Sequence, residues 1–183
     1  MRGQTLVVAQ RAFDSARRSR SSVAVAVGYT LLILGIAWTS RGGGYLALSL
    51  NLLTPLAVLV PAVAVAVGYR SIVDDRVRGE LDVLRSYPLA GWTYVSGTFL
   101  GLAAAVLTVV LVPLLVVSGV VVLFRVEQIS VLATHATADS PIIYARVLSL
   151  TALFALVCLA IVVGVSALAA SERSGLALAI VSL

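Results

Sequence analysis

The chain has 183 residues, of which 61% are hydrophobic and 11% are charged, and its formal net charge is +5. Soluble domains are about half apolar and a quarter charged, so a water-soluble fold is excluded and the surplus apolar surface must face lipid. All thirteen basic residues are arginines that cluster beside apolar runs. The charge therefore indicates loops held at the cytoplasmic face, not binding of nucleic acid.

Residues 1–22 are predicted to form an N-terminal amphipathic helix on the cytoplasmic surface of the membrane. Four apolar residues share one helical face, namely Leu6, Ala9, Phe13 and Ala16. Three charged residues fall away from that face, namely Arg11, Asp14 and Arg18. This pattern is typical of an interfacial helix. An ordinary solvated arm is the alternative.

A transmembrane domain is predicted over residues 23–183, and its first two spans cover about 23–39 and 45–69. Pro55 and Pro61 lie inside the second span. Membrane bundles tolerate such prolines because neighbouring helices and water can satisfy the freed carbonyls. The two prolines predict a bent helix, which is either a packing irregularity or a hinge beside a transport pathway.

The most polar stretch follows, and it predicts a cytoplasmic amphipathic helix at about 72–86. Its apolar stripe consists of Val73, Val77, Leu81 and Leu84. Opposite charges stand four residues apart in the pairs Asp74–Arg78, Arg76–Glu80 and Arg78–Asp82, and each pair adds a few tenths of a kcal/mol to a helix. Pro88 ends the element. A solvated connector is the alternative, although a connector needs no apolar stripe.

A third span is predicted over about 92–124, which is roughly 50 Å as one helix and longer than the hydrocarbon core. Pro113 is the expected bend. An outer loop over 125–145 and a fourth span over about 145–170 follow. A fifth span begins at 176 and is incomplete at 183, so the chain is expected to be a fragment of a longer one.

The arginines orient these spans with the N-terminus in the cytoplasm. That arrangement leaves only three arginines outside, namely Arg41, Arg125 and Arg146. The other ten lie on the cytoplasmic side, as the positive-inside rule requires.

Residues suited to enzyme chemistry are scarce. The sequence contains no phosphate-binding GxxxxGK[ST] loop and no GxSxG or HExxH motif, so the chain cannot hydrolyse ATP by that mechanism. Cys158 is the only cysteine and His135 the only histidine, which excludes Cys-rich and His-rich metal sites within one chain. No catalytic residue, cofactor or metal is predicted, and an intramembrane enzyme is disfavoured.

The segment from Gly68 to Gly101 resembles the ABC-2 type transporter permeases. The run Asp75-Arg-Val-Arg-Gly-Glu-Leu81 is similar to their acidic-Arg-x-Arg-Gly-Thr-Leu run, and Gly97-Thr-Phe-Leu-Gly101 is similar to their Gly-Lys-x-Leu-Gly-like ending. Glu80 and Thr98 replace the Thr and Lys that are common there. Weaker similarity covers residues 9–20, as an interfacial helix, and residues 166–175, as a short inner turn.

The resemblance implies an all-α polytopic bundle in the plasma membrane that serves as the permease of an ATP-driven exporter. A separate ABC ATPase subunit and a second permease chain, identical or different, are the expected partners within the lipid bilayer. The residues implied to contact the ATPase are Asp74, Asp75, Arg76, Arg78, Gly79, Glu80 and Leu81. The alternative is a membrane component of a metalloenzyme maturation system, since the family includes permeases associated with copper-enzyme maturation.

Overall fold

The computed structural model describes residues 2–40, 44–69, 91–123 and 140–168, and nearly all of them are helical. The five helices are α1 (Arg2–Arg18), α2 (Arg20–Thr39), α3 (Gly44–Gly68), α4 (Gly91–Leu123) and α5 (Pro141–Leu168). Helices α2 to α5 are each long and apolar enough to cross a membrane. The prediction of an all-α polytopic bundle is confirmed.

Two helix starts show why the elements begin where they do. Ser19 alone separates α1 from α2, and its extended backbone (φ −68°, ψ 120°) breaks the helix for a single residue. Helix α5 begins at Pro141, four residues before the predicted start of the fourth span. Proline favours the first helical position because its missing N–H would lack an intrahelical partner there anyway.

The three prolines predicted as bends, Pro55, Pro61 and Pro113, lie within continuous helices. Helix α3 runs through Pro55 and Pro61, and α4 runs through Pro113 over its full 33 residues. The backbone is therefore helical on both sides of each proline, as membrane helices permit. A hinge role for these residues stays a prediction.

Helix α4 lies at the centre of the packing. Half of its most apolar segment is buried inside the bundle, against 17% for α2. Residues Val106, Val110, Leu114 and Val117 of α4 are fully or almost fully buried and recur at helical spacing. The two most extensively packed pairs are α1 with α4 and α3 with α5.

Several predicted elements lie outside the described residues. They are the cytoplasmic helix at 72–86 with all seven candidate ATPase-contact residues, the inner turn at 171–175 and the incomplete span at 176–183. The described residues on either side of segment 70–90 are the end of α3 with Tyr69 and the beginning of α4.

Candidate functional site: the helix ends that flank residues 70–90

The end of α3, which leads into the predicted cytoplasmic helix, packs closely on α5. A Cβ atom on Gly68 would lie 3.0 Å from Val162 Cγ1 and 3.1 Å from Leu159 Cδ1, so a larger residue would press on α5. The Ser166 hydroxyl donates a hydrogen bond of 3.1 Å to the carbonyl oxygen of Tyr69. This bond satisfies a carbonyl at a helix end, where intrahelical donors run out. Segment 70–90 therefore starts from a point fixed to α5.

The beginning of α4, where segment 70–90 ends, packs on α1 through two glycines. A Cβ atom on Gly97 would lie 2.8 Å from Val8 Cβ, and one on Gly101 would overlap the carbonyl oxygen of Ala9. These glycines are four residues apart and form a GxxxG pattern, which lets two helix backbones approach closely. The two glycines are also the first and last residues of the Gly97–Gly101 motif on which the family resemblance partly rests. In this structure they let α1 pack closely on α4.

The face of α1 that meets α4 includes three alanines. Ala16 is buried, Ala9 and Ala12 are partly buried, and Phe13 packs at the edge of the core. Leu6, predicted to share this face, is instead 67% exposed. Ala9 and Ala12 lie closest to Gly101, whereas Val8 lies closest to Gly97. The alanine side of α1 therefore packs on α4, and the interfacial position of this helix stays a prediction.

Two tyrosine hydroxyls tie α4 to its neighbours on either side of Pro113. Tyr29 of α2 donates to the carbonyl oxygen of Val110 at 3.2 Å, and Tyr144 of α5 donates to that of Leu114 at 2.7 Å. Both tyrosines are almost fully buried. A hydroxyl inside a membrane bundle needs such an acceptor because no water is available to replace it.

Comparison with known proteins decides the family. A family model described as ABC-2 family transporter protein matches residues 3–183, which is nearly the whole chain. The chain belongs to the ABC-2 transporter family. No curated protein matched it in a sequence comparison. As an ABC-2 protein with four membrane-crossing candidates among its described residues, it is a multi-pass permease component of an ABC transporter.

Sequence reasoning missed the tyrosine pair of this ABC-2 permease. Tyr29 falls within the predicted first span at about 23–39, and no hydrogen bond was predicted for it. A usable signal existed, because Tyr29 lies in the middle of an apolar run and far from either interface. A tyrosine in that position predicts a buried hydrogen bond across helices. Which carbonyl accepts the bond depends on how the helices pack, and the sequence alone does not give that.

We expect the substitution Tyr144→Phe to lower the free energy of unfolding by about 1 kcal/mol, since it deletes one buried hydrogen bond and keeps the ring. Thermal unfolding in mild detergent measures the change. Thr108→Val is the matched control, because the exposed Thr108 hydroxyl only donates to Ala104 of its own helix at 2.7 Å. Equal losses in the two variants would contradict a linking role for Tyr144.

The described spans of this ABC-2 permease offer no metal centre. Among residues 2–40, 44–69, 91–123 and 140–168 there is no group of three or more His, Cys, Asp or Glu side chains. Cys158, a free cysteine, is buried.

Proposed function

We propose that this ABC-2 protein is the permease subunit of an ATP-driven exporter, with a separate ATPase subunit bound at residues 72–86. The protein lies in the plasma membrane with its N-terminus in the cytoplasm. Two permease chains, identical or different, form the transporter. The ATPase contact is made by Asp74, Asp75, Arg76, Arg78, Gly79, Glu80 and Leu81.

The proposal is supported by two close helix contacts, one on each side of residues 70–90 in the chain. Gly68 is packed against α5, and Gly97 and Gly101 are packed against α1. A segment with firm attachments at both ends transmits a push into the bundle, whereas a slack connector would absorb it. The charged amphipathic pattern of 72–86 provides the surface on which a partner acts.

The mechanism follows from these attachments. Closure of two ATPase subunits on ATP displaces the helix at 72–86. The displacement passes through Gly97 and Gly101 to α1, and through Gly68 and Tyr69 to α5. The spans then move between inward-open and outward-open states, and differential binding of the ATPase to those states drives the shift.

We expect a P-loop ATPase to co-purify in a near-equal amount when the full chain is extracted from its native membrane in mild detergent. Mass spectrometry of the purified complex measures the ratio. A chain carrying Gly79→Pro is the control, since proline breaks the docking helix and should release the ATPase. Co-purification of metalloenzyme maturation proteins without any ATPase would replace this proposal with the maturation role.

A further inference from the structure

One face of α2 carries a stripe of mostly exposed side chains. The stripe begins at Arg20 and reaches a groove at Thr30 and Leu34. Arg20, Val23, Val27, Thr30 and Leu34 follow each other at intervals of three or four residues, so they lie along one side of the helix. Arg20 is exposed, and Val23, Val27 and Leu34 are 46%, 52% and 37% exposed. The stripe runs from Arg20, the first residue of α2, to Leu34 in the second half of the helix.

The stripe leads into a half-open groove of about 200 Å³ between α2 and α4. Its lining residues are Thr30, Leu34, Thr108, Val109, Val112, Pro113 and Val116. The only hydroxyls in this lining belong to Thr30 and Thr108, which donate to Ala26 and Ala104 of their own helices at 2.8 and 2.7 Å. The groove therefore presents apolar surface and suits hydrocarbon.

The beginning of the stripe has a strong positive charge. Arg17, Arg18 and Arg20 are all exposed and lie within four residues at the junction of α1 and α2. Asp14 is the only acidic residue within the described part of the chain. Three exposed arginines at the start of a span favour anionic headgroups, and each contributes about a fivefold gain in affinity at a membrane surface.

The spacing between the arginines and the groove matches one lipid leaflet. Ten residues separate Arg20 from Thr30, which is about 15 Å along a helix and about half of the hydrocarbon core. A lipid whose phosphate sits at Arg20 therefore places the end of its acyl chain at Thr30. The charge and the groove are thus separated by the length that one phospholipid spans.

We propose that α2 and α4 form a binding site for one anionic phospholipid of the cytoplasmic leaflet, with its headgroup at Arg17, Arg18 and Arg20 and an acyl chain in the groove at Pro113. The leaflet assignment rests on the cytoplasmic N-terminus of the proposed function; the binding itself does not require an ATPase. The groove is lined by residues of both α2 and α4, including Pro113. A bound lipid therefore contacts both helices and holds α2 against α4.

The experiment is native mass spectrometry of the full chain, purified in mild detergent and titrated with phosphatidylglycerol or phosphatidylcholine. We expect wild type to retain phosphatidylglycerol at least tenfold better, and Arg20→Gln to reduce that preference about fivefold. Arg146→Gln is the control, because Arg146 is equally exposed near the opposite end of the membrane. Equal lipid preference in both variants would overturn the headgroup site.

The groove is tested separately by Val112→Phe, which fills it with a ring at a half-exposed position. We expect weaker retention of phosphatidylglycerol, whereas Leu153→Phe on the exposed face of α5 leaves retention unchanged. Thermal unfolding shows whether each variant is folded. Unchanged retention of phosphatidylglycerol in Val112→Phe would overturn the acyl-chain site. Loss of a dimer of this chain with lipid retention unchanged would also overturn it, because a second chain and not a lipid would then occupy the groove. The lipid site and the proposed function can fail separately. If a chain binds no lipid but still co-purifies with the ATPase, the lipid site is wrong and the proposed function stands.

Discussion

The substitution Gly101→Ala is expected to lower the free energy of unfolding by about 1–3 kcal/mol, the usual cost of overpacking a tight contact. The new methyl group would overlap the backbone carbonyl oxygen of Ala9. A flexible side chain can rotate away, but a helix backbone cannot, so α1 must separate from α4. Thermal unfolding in detergent measures the loss, and faster proteolysis within residues 2–18 reports the release of α1.

Gly119→Ala is the matched control for this prediction. Gly119 lies on the same helix, and a Cβ atom there would meet nothing within 4 Å. Replacing glycine by alanine in a helix otherwise stabilises it by up to about 1 kcal/mol. The two variants should therefore change stability in opposite directions. A similar shift in both would mean that the α1–α4 approach does not depend on Gly101.

Charge reversal of the predicted docking helix, with Arg76→Glu and Glu80→Arg together, is expected to uncouple ATP hydrolysis from movement of the permease. Placing like charges against each other across an interface costs several kcal/mol, and each 1.4 kcal/mol is a factor of ten. We therefore expect more than a tenfold weaker conformational response to ATP, while hydrolysis by the ATPase subunit continues.

The response is measured in the reconstituted complex as the ATP-dependent change in protease accessibility of the permease, beside the rate of phosphate release. Arg146→Glu provides the control, because it reverses an exposed charge at the opposite end of the spans. If the Arg76→Glu, Glu80→Arg chain shows the full ATP-dependent change in protease accessibility, residues 74–81 do not form the coupling contact. Loss of both hydrolysis and response would indicate that the subunits no longer assemble.

Most of the fold can be predicted from hydropathy, because a bilayer leaves few choices. Backbone groups in hydrocarbon must bond within their own helix, so each long apolar run becomes a helix of known minimum length. Helix α4 illustrates this, since it runs from Gly91 to Leu123 and was predicted over about 92–124. The start of α5 was less accurate, since it was predicted at about residue 145 and lies at Pro141.

The packing partners of each helix could not be predicted in the same way. The pattern of α1 indicates an apolar face but does not say whether lipid or protein covers it. Gly97 and Gly101 carried the missing information, since a GxxxG pattern at the start of a span favours a close helix partner. Reading α1 and α4 together would have placed Ala9 and Ala12, and not Leu6, at the contact.

The chain order of the two most closely packed helix pairs has a mechanical consequence. Helix α3 belongs to one pair with α5, and α4 belongs to the other with α1. Residues 70–90 connect α3 to α4, so they bridge the seam between the pairs. Under the proposed function, a force on this bridge would shear one pair against the other instead of bending a single helix. The Tyr144–Leu114 hydrogen bond of 2.7 Å crosses that seam, so such a shear would act on it.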